Sequence, residues 1–214
     1  MNTYTPKSYS KLEENINIAS HGVGFLLSIV ALVVLLLKAS KTGSAISIVS
    51  VSIYGASLII LYAASTLYHA AKTPKLRERL NIFDHASIYV LIAGTYTPFT
   101  LLVLEGWVGW TIFGVSWGIA LLGVILKLFY TGRFDRVSTI SYVVMGWVIV
   151  LAIKPLMDTM AVDGLWWLLA GGLSYTIGAL LYSIHKLPFN HAIFHFFVLF
   201  GSLAHFIAIY CFVV

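Results

Sequence analysis

The sequence has 214 residues, of which 60% are hydrophobic and only 10% are charged. Soluble domains carry about 25% charged residues, so this composition excludes an ordinary soluble protein and predicts one that lies largely in lipid. The formal net charge of +5 is spread over short loops, which is typical of a determinant of membrane topology and argues against nucleic-acid binding.

Stretches long enough to cross a membrane recur seven times along the chain. A spanning helix needs about 20 mainly apolar residues, because the hydrocarbon core is about 30 Å thick and each residue rises about 1.5 Å. We predict spans at residues 17–37, 46–70, 84–104, 107–129, 137–154, 164–184 and 190–213. The predicted fold class is therefore an all-α, integral membrane bundle of seven transmembrane helices (17–214), preceded by a short cytoplasmic segment (1–16).

Positive charges are distributed unequally between the two sides of the predicted bundle. One side holds ten of them: Lys7, Lys11, Lys72, Lys75, Arg77, Arg79, Lys127, Arg133, Arg136 and Lys186. The other side holds three: Lys38, Lys41 and Lys154. Because cytoplasmic loops are enriched in lysine and arginine, this bias predicts a cytoplasmic N-terminus and an external C-terminus.

Polar side chains from several predicted spans lie at one depth, close to the cytoplasmic surface. They are His21 in the first span, Ser65 and His69 at the end of the second, Asp84 and His85 at the start of the third, and His191 and His195 at the start of the last. Ionisable groups inside a membrane are costly, so such a convergence predicts a functional site.

The pair His191 and His195 has the i, i+4 spacing by which one helix face presents two imidazoles to a metal ion. His69 lies at a suitable depth to be a third ligand, and three histidines with one open position are typical of catalytic zinc. Asp84 could then act as a base or orient a bound water, and Ser65 could donate a hydrogen bond to either. Two other interpretations stay open, namely histidines that only bond to neighbouring groups and a His–Asp proton relay.

Three further histidines are given lesser roles. His21 is expected to pack or to support the site rather than to bind the ion. His85 is rotated by about 100° from Asp84 on the same helix, so we expect it to be a loop or packing residue. His205 lies about 21 Å deeper than His191 by helical rise and cannot join the same cluster.

Four short motifs resemble those of the bacterial hemolysin III proteins, and the resemblance covers essentially the whole chain. They are Glu14-x-x-Asn17-x-x-Ser20-His21, Ser65-Thr66-Leu67-Tyr68-His69, Phe83-Asp84-His85 and Asn190-His191-Ala192-Ile193-Phe194-His195. That family belongs with the progestin and adipoQ receptors and more distantly with alkaline ceramidases.

The resemblance implies a zinc ion (Zn2+) held by His69, His191 and His195. It also implies that Asp84 contacts the water on the zinc, as the matching aspartate of adiponectin receptors does, and that Ser65 lies close by. A long cytoplasmic N-terminal domain is absent from the sequence, so signalling by a protein hormone is not carried over.

Three functions follow as hypotheses. The first is a zinc-dependent hydrolase acting on an amide or ester of a membrane lipid, which would contribute to lipid homeostasis in the bacterial plasma membrane. The second is a non-enzymatic, receptor-like or homeostatic membrane protein in which zinc ties the second and seventh spans together. The third is a cytolytic pore-former, which is disfavoured because a chain that inserts through seven spans makes a poor secreted toxin. Whether the protein is an enzyme stays open at this point.

Overall fold

The computed structural model describes residues 7–104, 106–132 and 134–214. All regular elements in these ranges are helices: α1 (Lys11–Ser40), α2 (Ala45–Ala70), α3 (Pro74–Leu102), α4 (Gly106–Tyr130), α5 (Asp135–Gly146), a 3₁₀ helix (Val148–Ala152), α6 (Ile153–Thr159), α7 (Val162–Ser183) and α8 (Asn190–Phe212). The all-α class is confirmed. Arg133 and residues 1–6 of the predicted N-terminal segment lie outside the described residues.

Two helices begin before the predicted spans that they contain, because helix caps, rather than hydropathy, set where these helices begin. The Ser10 hydroxyl accepts a hydrogen bond from the backbone N–H of Glu13 (3.2 Å), so α1 begins at Lys11 instead of residue 17. Pro74 opens α3 ten residues before the predicted start, since proline at the first helical position needs no N–H partner. Asp84 and His85 therefore lie almost three turns inside α3 rather than at its start.

Among the described residues, six segments are long and apolar enough to span a membrane: α1, α2, α4, residues 136–159, α7 and α8. Side chains such as Leu26, Leu27 and Val30 on α1 are more than half exposed, as lipid-facing residues would be. α3 is not among the six, since its N-terminal half is rich in polar residues. The chain is thus a multi-pass membrane protein, and the seven-span count stays a prediction.

The predicted fifth span (137–154) is not one continuous helix. It is broken into α5, the 3₁₀ helix and α6. At the break, the Tyr96 hydroxyl lies 3.0 and 2.9 Å from the carbonyl oxygens of Met145 and Gly146 and accepts from the N–H of Ile149 at 2.9 Å. Irregular backbone at membrane depth is tolerated only where its polar groups find such partners.

The helices pack so that the ends of α1, α2, α3 and α8 meet. α2 lies between α1 and α3, α1 also packs on α8, and α8 packs on α7. α5 completes the arrangement by contacting both α3 and α7. This order brings the start of α1, the end of α2, the first half of α3 and the start of α8 to one end of the bundle.

Candidate metal centre

Three buried histidines from two helices form the centre of this end. His69 lies in the last turn of α2, and His191 and His195 lie in the first two turns of α8. Each offers a ring nitrogen within 4.8 Å of the others, and His69 Nε2 lies 3.0 Å from His191 Nε2. Nitrogen ligands of a tetrahedral zinc ion lie about 3.3 Å apart. The group could therefore hold a metal ion, and the predicted convergence of these histidines is confirmed.

The outer nitrogens of two of these rings already have partners, which tests whether the group fits an ion. His69 Nδ1 lies 2.6 Å from Glu14 Oε2, and His195 Nδ1 lies 3.3 Å from the Ser20 hydroxyl. With Nδ1 engaged, Nε2 of each ring keeps a lone pair for a ligand role. His191 also directs Nε2 toward His69. The donor set fits a metal ion bound through Nε2 atoms.

One face of α1 supplies the neighbours of the three histidines. Asn17 Nδ2 lies 3.4 Å from His69 Nδ1, and Ser20 follows one turn later at His195. The His21 ring stacks on that of His195 with centroids 3.5 Å apart, and His21 Nδ1 lies 2.8 Å from the Ser65 hydroxyl. His21 thus lies beside the three-histidine group and outside it.

Asp84 and Ser65 lie on the same cavity as the histidines. A cavity of about 150 Å³ is lined by both of these side chains together with His21, His191 and His195. Asp84 is only 8% exposed, so its carboxylate is shielded from bulk water. The arrangement places a carboxylate and a hydroxyl in a common space with two of the three histidines.

His85, which was expected to be a loop or packing residue, also lies on this cavity. His85 lines the same cavity, and its Nδ1 lies 2.9 Å from the Asn81 carbonyl oxygen and 3.4 Å from Asp84 Oδ2. The 100° rotation between adjacent residues did not separate them, because both side chains border the wide space between α3 and α8. Tyr142 also bonds to the His85 carbonyl oxygen at 3.0 Å, which ties this part of α3 to α5.

A second, more apolar cavity of about 330 Å³ continues from the first toward the other end of the bundle. The two share lining residues: Thr95, Tyr96, Gly146, Trp147, Gly172 and His205. As expected, His205 lies apart from the histidine cluster, and its Nε2 lies 3.2 Å from the Leu168 carbonyl oxygen. Together the cavities form an internal space with a polar end and an apolar end.

The sequence profile described as haemolysin-III related matches residues 9–206, which is most of the chain. The protein belongs to the haemolysin III-related family. It is 48% identical to Hemolysin-3 of Bacillus cereus over 190 residues, covering 89% of this chain and 87% of the relative. It is 47% identical to the Hemolysin-3 homolog of Bacillus subtilis (strain 168) over 201 residues, covering 93% and 94%. It is also 31% identical to human monocyte to macrophage differentiation factor over 164 residues, covering 74% and 68%.

Membership in this family agrees with the motifs quoted above and with a multi-pass bacterial membrane protein. The first of these motifs, at the start of α1, is the one to which the sequence analysis assigned no role. Its members Glu14, Asn17 and Ser20 each contact a histidine of the cluster. Their spacing of three residues was the available signal, because it places them on one helical face.

An aromatic side chain ahead of α1 covers the histidines, and sequence analysis missed it. The Tyr9 ring lies 4.7 Å from that of His191 and 5.8 Å from that of His69, centroid to centroid. Lys7 lies above the Tyr9 ring at 4.9 Å, and its Nζ donates to Asn190 Oδ1 at 3.5 Å. Burial raises the pKa of the Tyr9 hydroxyl well above its usual range, so Tyr9 is a neutral cover. No local pattern in the sequence indicates that residues 7–9 fold back in this way.

Proposed function

We propose that this haemolysin III-related protein binds one zinc ion through His69, His191 and His195 and hydrolyses an amide or ester bond of a membrane lipid. The observation that carries the proposal is that these buried histidines form one cluster and that two of them, His191 and His195, line a cavity with Asp84 that is polar at this end and apolar along the rest. Three histidine ligands with an open position are typical of catalytic zinc. When bound, such an ion polarises a carbonyl group and lowers the pKa of a coordinated water to about 7.

Asp84 is the residue of this chain best suited to move a proton in that reaction. As a carboxylate it can take a proton from the attacking water and deliver it to the leaving amine or alcohol. Ser65, whose hydroxyl bonds to His21, can donate a hydrogen bond toward the reacting group. The apolar walls suit the acyl chains of a lipid. Turnover of such lipids would contribute to membrane lipid homeostasis.

We further propose that α3 is a seventh span and that the N-terminus is cytoplasmic. In support, α3 has 29 residues and packs between α2 and α4, which are both apolar enough to span the membrane. Most of its polar side chains from Asn81 onward, among them Asp84 and Thr97, are buried rather than exposed as lipid-facing residues would be. The site would then lie near the cytoplasmic leaflet.

A second candidate is a non-enzymatic protein with structural zinc. It is favoured by the origin of the three ligands, because an ion there would fasten the end of α2 to the start of α8. The name of the Bacillus cereus relative suggests a cytolytic protein as a third possibility. Dye leakage from protein-free target vesicles tests that activity separately.

Turnover by purified protein tests the proposal. Wild type, reconstituted in vesicles with amide-linked and ester-linked lipids of the same acyl chains, should release fatty acid. Asp84→Asn should retain zinc and lose release by about 10²–10⁴-fold, because the amide keeps the size of the side chain and cannot take a proton. Asp158→Asn is the matched control, since Asp158 is exposed at the other end of the bundle.

The outcomes separate the candidates. Undiminished release by Asp84→Asn would remove Asp84 from the mechanism. Zinc-loaded wild type that releases no fatty acid from either lipid class would favour the structural-zinc candidate.

A further inference from the structure

Glu14 is held on both carboxylate oxygens by residues of two other helices. Its Oε2 lies 2.6 Å from His69 Nδ1, and its Oε1 accepts a hydrogen bond from the Arg77 guanidinium. The His69 side chain is fully buried and that of Glu14 is 17% exposed. A carboxylate with both oxygens engaged at low exposure is fixed in position rather than mobile at the surface.

The bond to His69 decides which of its nitrogens is available. When the neutral ring donates Nδ1–H to the carboxylate, Nε2 carries the lone pair. This Nε2 is the atom that lies 3.0 Å from His191 Nε2, inside the three-histidine group. Histidines that bind metals commonly donate their other N–H to a carboxylate, which fixes the ring and raises its basicity.

Arg77 extends the contact to the helix that carries Asp84. The two residues are seven positions apart on α3, so they lie on one face, two turns from each other. The Arg77 guanidinium also lies 4.6 Å from the centre of the ring of Tyr68, the residue that precedes His69. Glu14 therefore joins the start of α1, the end of α2 and the start of α3 through a single carboxylate.

We infer that Glu14 is a positioning residue of the metal centre, which holds His69 in the tautomer and orientation that bind zinc and links this ligand through Arg77 to the helix of Asp84. The inference rests on the zinc-binding part of the proposed function. It assigns a physical role to Glu14, the first residue of the N-terminal motif. Glu14 itself does not line the cavity.

Zinc affinity of the full-length protein, measured by competition with a chelator, tests this role. Glu14→Gln should bind zinc about 10–100-fold more weakly, as is typical when the carboxylate behind a ligand histidine is lost. Arg77→Met leaves the bond between Glu14 and His69 intact and should weaken binding by less. Combining both substitutions should cost no more than Glu14→Gln alone, because Arg77 acts through Glu14. Glu78→Gln is the matched control on the neighbouring helix.

Two further measurements distinguish a positioning role of Glu14 from a purely structural one. The melting temperature without metal reports on folding alone, and the absorption spectrum of the cobalt-substituted protein reports on ligand geometry. Positioning predicts a changed cobalt spectrum in Glu14→Gln with little change in metal-free melting. Affinity and spectrum equal to those of wild type would overturn the inference and leave the proposed function standing. Wild type that binds no zinc would overturn both.

Discussion

The two ends of the internal space differ in how their polar groups are satisfied. At the histidine end, around His69, His191 and Asp84, side chains from α1, α2, α3 and α8 bond mainly to one another. In the rest of the space, which begins at the shared residues Tyr96, Trp147 and His205 and is called the far end here, the walls are apolar. Tyr96 and His205 bond there to backbone at the break after α5 and in α7. One end is built to hold side chains in fixed positions, and the other to accommodate apolar material.

The difference has a physical cause in the membrane. A polar side chain in hydrocarbon is costly unless it is paired, so a dense polar cluster persists only where several helices supply partners. The ends of α1, α2, α3 and α8 meet at the histidine end and provide such partners. The broken span at the far end has fewer close neighbours, and a single tyrosine satisfies its freed backbone groups. Under the proposed function, the reacting groups are held at the histidine end and the lipid chain lies at the other.

The largest effect is expected from removing a ligand at the histidine end. His191→Ala should reduce zinc from about one ion per chain to nearly none, because His69 and His195 alone leave the ion under-coordinated. Metal that binds only the folded state stabilises it by about 4 kcal/mol at a thousandfold excess over Kd, so the melting temperature should also fall. Elemental analysis and thermal melting with and without chelator measure both effects.

His185→Ala provides the control for the loss of a histidine as such. His185 is exposed in the loop before α8, six residues from His191. It should keep the zinc content and melting temperature of wild type. Equal zinc in wild type and His191→Ala would contradict the assignment of the metal centre.

A smaller effect is expected from a substitution where the two cavities join, and it should change the release of fatty acid from lipids without changing zinc binding. Gly172 lines both of them, and a Cβ added there meets only the Trp147 ring, at 3.7 Å. Gly172→Leu should therefore fold and fill the passage. Each methylene kept out of the apolar cavity costs about 0.8 kcal/mol, so release from long-chain lipids should fall at least tenfold while short-chain lipids are affected less.

Gly114→Leu is the matched control, since no atom of the described residues lies within 4 Å of a Cβ added at Gly114 on α4. Both variants should retain zinc. If Gly172→Leu lowers release from long-chain and short-chain lipids equally, the far end does not hold the lipid chain. The proposed difference in role between the two ends would then be wrong.

Much of the histidine end could be predicted from the sequence, because its features are local. The i, i+4 spacing of His191 and His195 needs only a helix, and the depth of His69 follows from where α2 ends. The partners of these rings were not predictable in the same way. Which nitrogen Glu14 contacts, and that Tyr9 folds over the cluster, depend on how α1 packs against α2 and α8.

The far end was predicted less well for a related reason. Residues 137–154 read as one apolar span, and hydropathy does not record that the backbone breaks there. The break depends on a hydrogen-bonding tyrosine, Tyr96, from a helix that lies far away in sequence. α3 is the opposite case, because its polar residues lower its hydropathy below that of the other long helices although it has 29 residues.

The last prediction decides which side of the membrane the histidine end faces and changes neither zinc nor turnover. The ten-to-three distribution of lysine and arginine predicts a cytoplasmic N-terminus. One of the three opposing charges, Lys38, donates to the Tyr210 carbonyl oxygen near the end of α8, so it has a structural partner at that surface. An odd number of spans places the termini on opposite sides, whereas six spans, with α3 not crossing, would place them on the same side.

A phosphatase fused after Val214 should be active if the C-terminus is external, and a fluorescent protein fused there should be dark. The same two reporters inserted between α2 and α3, at Lys72, should give the reverse result, since that loop is predicted to be cytoplasmic. A reporter after Val214 that is active only in the cytoplasm would contradict the predicted orientation of the C-terminus. If reporters before Lys7 and after Val214 then lay on the same side, the number of spans would be even and α3 would not be a span. The polar residues of α3 beside the histidines would then belong to a helix that does not cross the membrane.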